Sequence, residues 1–308
     1  MTSKRHRTGP NPASPSPHFA DLGPEDAARV LELLESPAYR LAFEDPDFIM
    51  QHDLRSVRLQ LELLKPEFIL RAHRIKYTIV AFGGTRIVPA EVARTRLEAL
   101  EAERVAAGSS PELERRIAVA ERVLAKSPYY QAAREFGRLV ATENLRAGDE
   151  AQVIVTGGGP GIMEAANRGA HDVGAPSIGL NITLPMEQRP NAYITPSLCF
   201  RFHYFAIRKM HFLLRAQAMV AFPGGYGTFD ELFEALTLMQ TGKTRRMPVV
   251  LFGREFWQRT VDFQYLADEG VIADADLELF RFAETAAEAW EFIQQFHAER
   301  RRGRRKRT

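Results

Sequence analysis

The chain has 308 residues, 45% hydrophobic and 26% charged, which is the size of one large domain, or a domain with additions, and the balance of a globular protein. No apolar run reaches the ~18 residues of a membrane-spanning helix, and no apolar stretch follows the first residues, so neither a membrane helix nor a signal peptide is expected. A single cysteine, Cys199, excludes internal disulfides and a cysteine zinc cluster and suits a cytoplasmic protein.

Residues 1–18 are rich in Pro, Ser and Arg, as in a disordered tail. Residues 19–75 read as a helical extension, with helices over 24–36 and 47–72. Leu54, Val57, Leu61 and Leu64 mark an apolar face on the second, which Pro66 interrupts or restarts. The expected role of this segment is packing, against the core or a partner subunit. A domain over 76–299 follows. Its first buried strand is Tyr77–Phe82, running into Gly83-Gly84-Thr85-Arg86. Residues 90–125 predict one or two exposed helices, broken near Gly108–Pro111, and 128–145 another helix.

Ala151–Thr156 predicts a second strand. The turn Gly157-Gly158-Gly159-Pro160-Gly161 and a helix opening at Ile162-Met163-Glu164 come next. Pro176–Ile182 reads as a third strand with Asn181 at its end. A Pro-rich loop over 183–198 offers Met186 and Glu187, and Leu198–Tyr204 a short strand. Phe205–Gln217 predicts a helix carrying Arg208 and Lys209, and Ala216–Ala221 the next strand. The turn Phe222-Pro223-Gly224-Gly225-Tyr226-Gly227 then leads into a helix from Thr228 through Glu231. Strand Pro248–Phe252, a helix over 254–269, an edge strand Leu279–Phe282 and a helix over 285–299 complete the domain.

Residues 300–308 carry seven basic side chains and no acid, and residues 4–7 carry three more. Without these ten, the 41 basic residues fall below the 39 acids. Solvated ends are the favoured reading of such blocks, and nucleic-acid binding the disfavoured one.

Strands alternating with helices predict an α/β, Rossmann-like, doubly wound parallel sheet, with ligands at the carboxyl ends of the strands. Three glycine turns fall at such ends. Glycine admits a ligand close to the backbone, and the helix start beyond offers free N–H groups to a phosphate. Neither long turn is a P-loop or a dinucleotide fingerprint.

Pro223-Gly224-Gly225-Tyr226-Gly227-Thr228-x-x-Glu231, taken with Gly157-Gly158-Gly159-Pro160-Gly161-Ile162-Met163-Glu164, resembles the LOG (LONELY GUY) family over roughly residues 76–255. Those proteins, long mislabelled lysine decarboxylases, cleave the N-glycosidic bond of nucleoside 5′-monophosphates such as AMP or cytokinin precursors. The resemblance implies Arg208 and Glu231 as catalytic residues. It implies a nucleotide pocket built from Gly83, Gly84, Thr85, Gly158, Gly159, Gly161, Met163, Glu164, Asn181, Gly224, Gly225, Gly227 and Thr228. It implies no metal or other cofactor, and an assembly of at least a dimer. Phe205-Ala206 stand where the family has Met-His, which leaves the base pocket undefined.

Two readings of Glu231 stand side by side. Thr228-x-x-Glu231 fits a capping box, in which the carboxylate bonds back to the Thr228 N–H. As a catalytic group it would stabilise an oxocarbenium-like ribosyl cation, orient water or bind the ribose hydroxyls. His203 and His211 lack metal-pair spacing and read as core or surface histidines. A nucleotide or pterin-cofactor carrier without turnover is the alternative function. A pyridoxal-dependent decarboxylase is disfavoured, because no lysine is marked as buried.

Overall fold

The computed structural model describes residues 22–148, 151–185 and 189–305, without the side chains of 146 and 303–305. They divide into two units, 1–60 and 61–308. In the first, α1 (Pro24–Glu35) and α2 (Pro46–Ile49) precede α3 (Arg55–Ala72), which continues into the second. Asp45 caps α2 by accepting from the Phe48 N–H at 3.1 Å. Arg58 donates to the carbonyls of Ile49 and Gln51, both at 2.6 Å. No residue from 22 to 60 is buried, so this segment builds no core of its own.

Seven parallel strands form the sheet of the second unit. They are β1 (Tyr77–Phe82), β2 (Gln152–Thr156), β3 (Ser177–Ile182), β4 (Cys199–Phe202), β5 (Ala216–Ala221), β6 (Val249–Phe252) and β7 (Phe280–Ala283), in the order β4-β3-β2-β1-β5-β6-β7. Side chains alternate across a strand, and the sequence is apolar on both faces. Ile79, Ala81, Ile154, Ala218, Val220 and Val250 enter one core. Val80, Phe82, Val153, Val155, Met219, Ala221, Val249 and Leu251 enter the other.

Helices cover both faces. α4 (Ala90–Ala107) and α5 (Pro111–Ala125) form the expected inserted pair, with Ser110 capping α5. α6 (Ser127–Ala147), α7 (Ile162–His171) and α12 (Ala286–Arg305) contribute Tyr130, Phe136, Ile162 and Ile293 to the first core. α8 (Phe205–Leu214), α9 (Tyr226–Gln240), α10 (Arg254–Thr260) and α11 (Phe263–Asp268) contribute Phe212, Leu232, Trp257 and Phe263 to the second. Among the described residues, no helix is long and apolar enough to cross a membrane.

Several expected boundaries move. The 47–72 helix is broken into α2, a 3-10 turn at His52–Leu54, and α3. Pro66 neither ends nor restarts α3; it lies inside it, buried. The helix expected to reach Gln217 ends at Leu214, because Ala216 already pairs with Thr78 in the sheet. The helix expected over 254–269 breaks at Val261, and Asp262 caps the new start by accepting from the Tyr265 N–H at 3.0 Å.

Candidate active site

The strand order reverses at β1. From β1 the chain winds outward to β2, β3 and β4, then returns to β5 on its other side. Crossovers diverge at such a point and leave a crevice beyond the carboxyl ends of the two strands. The crevice falls between Gly83-Gly84, after β1, and Pro223–Gly227, after β5. Gly84 joins all three glycine turns. Its N–H donates to the Pro223 carbonyl at 2.9 Å, and its carbonyl accepts from the Ile162 N–H at 3.2 Å. Gly161 has φ +74°, and a Cβ there would lie 2.7 Å from the Thr85 carbonyl oxygen, so glycine is required on both counts.

A buried amide network fixes the second turn. Asn167, fully buried on α7, accepts from Thr156 Oγ1 at 2.7 Å and donates to Ser177 Oγ at 3.0 Å. Thr156 Oγ1 in turn accepts from the Gly158 N–H at 3.0 Å. Asn191 donates to the Gly159 carbonyl at 3.1 Å and to Asn167 Oδ1 at 3.0 Å. Its backbone N–H donates to Gly158 at 2.9 Å. The described part of the Pro-rich loop is thereby tied to the glycine turn.

Arg208 and Lys209 project from α8 toward this crevice. Arg208 Nε donates to the Leu180 carbonyl of β3 at 2.7 Å. Its guanidinium lies against Gly157, where a Cβ would come 2.6 Å from Nη2. Burial pulls the Arg208 pKa down, while the Glu231 charge opposes the shift. Lys209 Nζ stands among three carboxylates of α9, 2.9 Å from Asp230, 3.1 Å from Glu234 and 3.6 Å from Glu231. Burial works against its charge, but these three acids outweigh it and raise the Lys209 pKa. Glu231 is only 5% exposed. Burial pushes its carboxyl up to about 7, although Lys209 and Arg208 pull the other way. A carboxyl so poised changes charge near neutrality, a property common at catalytic sites.

Helix α8 is itself held at both ends by α3. Glu62 accepts from the N–H groups of His203 and Tyr204 at 2.8 and 3.1 Å. Glu67 takes both terminal nitrogens of Arg215, the second at 2.8 Å.

The structure brings Gly83, Gly84, Gly158, Gly159, Gly161, Gly224 and Thr228 together through these turns. Asn181 packs its amide against Gly158 and donates to the Phe200 carbonyl at 3.1 Å. Met163 Sδ borders Gly157 and hence Arg208. Thr85 is exposed at the rim. Glu164 is turned to α6, where its carboxylate accepts from the Tyr130 hydroxyl at 2.7 Å. Gly225 and Gly227 are exposed, with nothing within 4 Å of a built Cβ. Met186 and Glu187 lie outside the described residues.

The capping box does not form. α9 begins at Tyr226, Gly225 occupies the cap position without a side-chain bond, and Thr228 already donates its N–H to Gly225 at 2.9 Å. Glu231 therefore lies one full turn inside the helix. Sequence reasoning missed Gly157, Asn167, Asn191 and the burial of Lys209. Only Gly157 carried a signal, as part of a glycine run. His211 is buried beside Phe202 and Glu67, with its pKa lowered first by burial.

A family model described as possible lysine decarboxylase matches residues 163–293. Cytokinin riboside 5′-monophosphate phosphoribohydrolase LOG2 of Arabidopsis thaliana is 25% identical over 175 residues, 56% of this chain and 78% of its own. The rice enzyme LOG (Oryza sativa subsp. japonica) is 29% identical over 167 residues, 53% of this chain and 65% of its own. Among solved structures, the molybdenum cofactor carrier protein of Chlamydomonas reinhardtii aligns with TM-score 0.42 at 20% identity, covering 72% of this chain and 99% of that one. The molybdenum cofactor binding protein of Rippkaea orientalis aligns with TM-score 0.42 at 17% identity, covering 72% and 98%. The family model, the phosphoribohydrolase relatives and the paired glycine motifs all make the chain similar to the LOG family.

Proposed function

We propose that the protein hydrolyses the N-glycosidic bond of nucleoside 5′-monophosphates, AMP or an N6-modified relative, to free base and ribose 5-phosphate. The observation that carries this reading is Glu231. It is a buried carboxyl, poised near neutrality, one turn beyond a glycine turn at the point where the strand order reverses.

The 5′-phosphate would lie against the two helix starts, at the N–H groups of Gly225, Tyr226 and Gly227 and of Gly161 and Met163, which are not taken by backbone carbonyls among the described residues. Gly225 and Gly227 support this placement, since neither has a positive φ or a neighbour that would exclude a side chain. A phosphate pressed against the backbone accounts for both. As the glycosidic bond lengthens, positive charge grows on the ribose and negative charge on the departing base. Ionised Glu231 stabilises the cation and orients the attacking water. Arg208 stays protonated, so it offers its charge to the base without giving up a proton. Water supplies the hydroxyl for the ribose carbon and the proton for the base.

A pyridoxal-type decarboxylase is disfavoured, because such chemistry needs an uncharged lysine and three carboxylates hold Lys209 charged. The test is a panel of nucleoside monophosphates with free base and ribose 5-phosphate as readouts. Release by the native chain, absent in folded Glu231→Gln, supports the hydrolase. Tight nucleotide binding without release would favour a carrier.

A further inference from the structure

Gly157-Gly158-Gly159 has no stiffness of its own, because glycine is the most permissive residue in the backbone. Its shape is set from outside, and Asn191 supplies most of the bonds. The Asn191 N–H donates to the Gly158 carbonyl at 2.9 Å. Its Nδ2 donates to the Gly159 carbonyl at 3.1 Å and to Asn167 Oδ1 at 3.0 Å. Its Oδ1 accepts from the Tyr193 N–H at 3.1 Å. A flipped amide would set oxygen against oxygen at both Gly159 and Asn167, so one orientation is fixed.

Asn191 is also held from behind. The Tyr193 ring lies 5.5 Å from the His171 ring and 5.1 Å from the Arg168 guanidinium, both on α7. The Tyr193 carbonyl accepts from Ser177 Oγ at 3.3 Å, and Thr195 Oγ1 accepts from the Ser177 N–H at 3.0 Å. None of these contacts involves the glycine turn. The loop is anchored first, and the turn is shaped against it.

The bonded carbonyls decide where the turn's N–H groups point. In a trans peptide the carbonyl and the following N–H face opposite ways. Fixing the Gly158 carbonyl on Asn191 therefore turns the Gly159 N–H away from the loop. The Gly158 N–H is taken by Thr156 Oγ1 at 3.0 Å. Gly159 is buried, yet its N–H meets no acceptor among the described residues. Buried N–H groups are rarely left so. The N–H groups of Gly161 and Met163 come next and also lack a backbone acceptor among the described residues. Successive N–H groups of this kind form a concavity that suits an anion.

We propose that Asn191 is a positioning residue for the phosphate of the ligand, an inference that rests on the function proposed above. It holds the triple-glycine turn with the Gly159 N–H presented to the phosphate. It acts through the turn and not by contact with the ligand. Its loss is therefore felt by ligands that carry a phosphate and not by those that lack one.

The test is calorimetric titration of the full chain with ribose 5-phosphate and with adenosine, beside steady-state kinetics on AMP. Asn191→Ala and Asn191→Ser are compared with the native chain. Ser177→Ala serves as control, since it weakens the same network but leaves both turn carbonyls bonded. Both Asn191 variants are expected to lose about tenfold in ribose 5-phosphate affinity, the worth of one hydrogen bond to a charged group. KM for AMP should rise in step, with kcat and adenosine affinity held within about twofold. Ser177→Ala should keep its ribose 5-phosphate affinity. An equal loss for adenosine, a fall in kcat at unchanged KM, or the same loss in Ser177→Ala would overturn the proposal and leave Asn191 a loop tether. So would unchanged affinity in a folded variant, failure of both variants to fold, or no binding of ribose 5-phosphate by the native chain. If the native chain binds ribose 5-phosphate but releases no base, the hydrolase reading falls, and the affinity comparison still decides the role of Asn191.

Discussion

Lys209 Nζ lies 3.6 Å from the Glu231 carboxylate, yet the carboxyl still titrates near 7, because burial outweighs the nearby cation. Activity that needs ionised Glu231 should therefore rise with pH through about 7 in kcat/KM of the free enzyme. Glu231→Gln should cost about 10²-fold or more in rate. Its stability should move the other way. The folded pKa is raised, so the folded state keeps its proton while the unfolded state loses it, and stability falls as pH climbs from the ordinary glutamate value of 4.5 to about 7. The glutamine variant escapes that loss and should gain on the native chain, on the order of 2 kcal/mol by pH 8 in denaturant titrations.

Replacing the cation tests the same relationship from the other side. In Lys209→Met, Asp230, Glu231 and Glu234 lose their shared partner. The Glu231 pKa should climb further, and the rise in kcat/KM should shift to higher pH by about a unit or more. A pH profile that stayed in place would show that Lys209 does not set the protonation of Glu231.

Two glycines should respond in opposite ways to alanine. Gly157→Ala places a methyl group 2.6 Å from Arg208 Nη2, so Arg208 must move. Both stability and turnover should drop. Gly227→Ala meets only open space in the first turn of α9, at an ordinary φ. It should raise stability by up to about 1 kcal/mol through helix propensity. If a phosphate sits there, nucleotide affinity should fall at the same time. Thermal melts with and without AMP separate the two effects.

Glu67 anchors the far end of α8 through Arg215. Its pKa is lowered, first by the hydrogen bond from Arg215. A lowered carboxyl adds stability above its ordinary value of 4.5, and that stability is lost as pH falls through the folded value. Glu67→Gln should cost about 2 kcal/mol at pH 7. The gap between variant and native chain should close in acid. A gap that persisted unchanged at low pH would mean the carboxylate charge contributes nothing.

Much of the sheet was legible because strand apolarity and glycine clusters are local signals. Val153–Val155 and Met219–Ala221 announce buried strands, and three glycine runs mark their carboxyl ends. Of the two readings of Glu231, the capping box fails because Thr-x-x-Glu is also what a helix starting two residues earlier can carry. The burial of Lys209 was hidden, since it depends on three acids of α9 that meet α8 only in the folded chain. Asn191 gave no sign, because its partners in the glycine turn and on α7 lie more than twenty residues away.

Gly84, by bonding forward to Pro223 and receiving from Ile162, makes three loops from distant parts of the chain into one mechanical piece. Loops of a doubly wound sheet are ordinarily free to vary one at a time. Here they are not. An insertion or graft in any one of the three would shift the other two. Exchange with a relative should therefore succeed only when all three turns are moved together. The α4–α5 hairpin, which no backbone bond ties to these turns, offers a place where length can change.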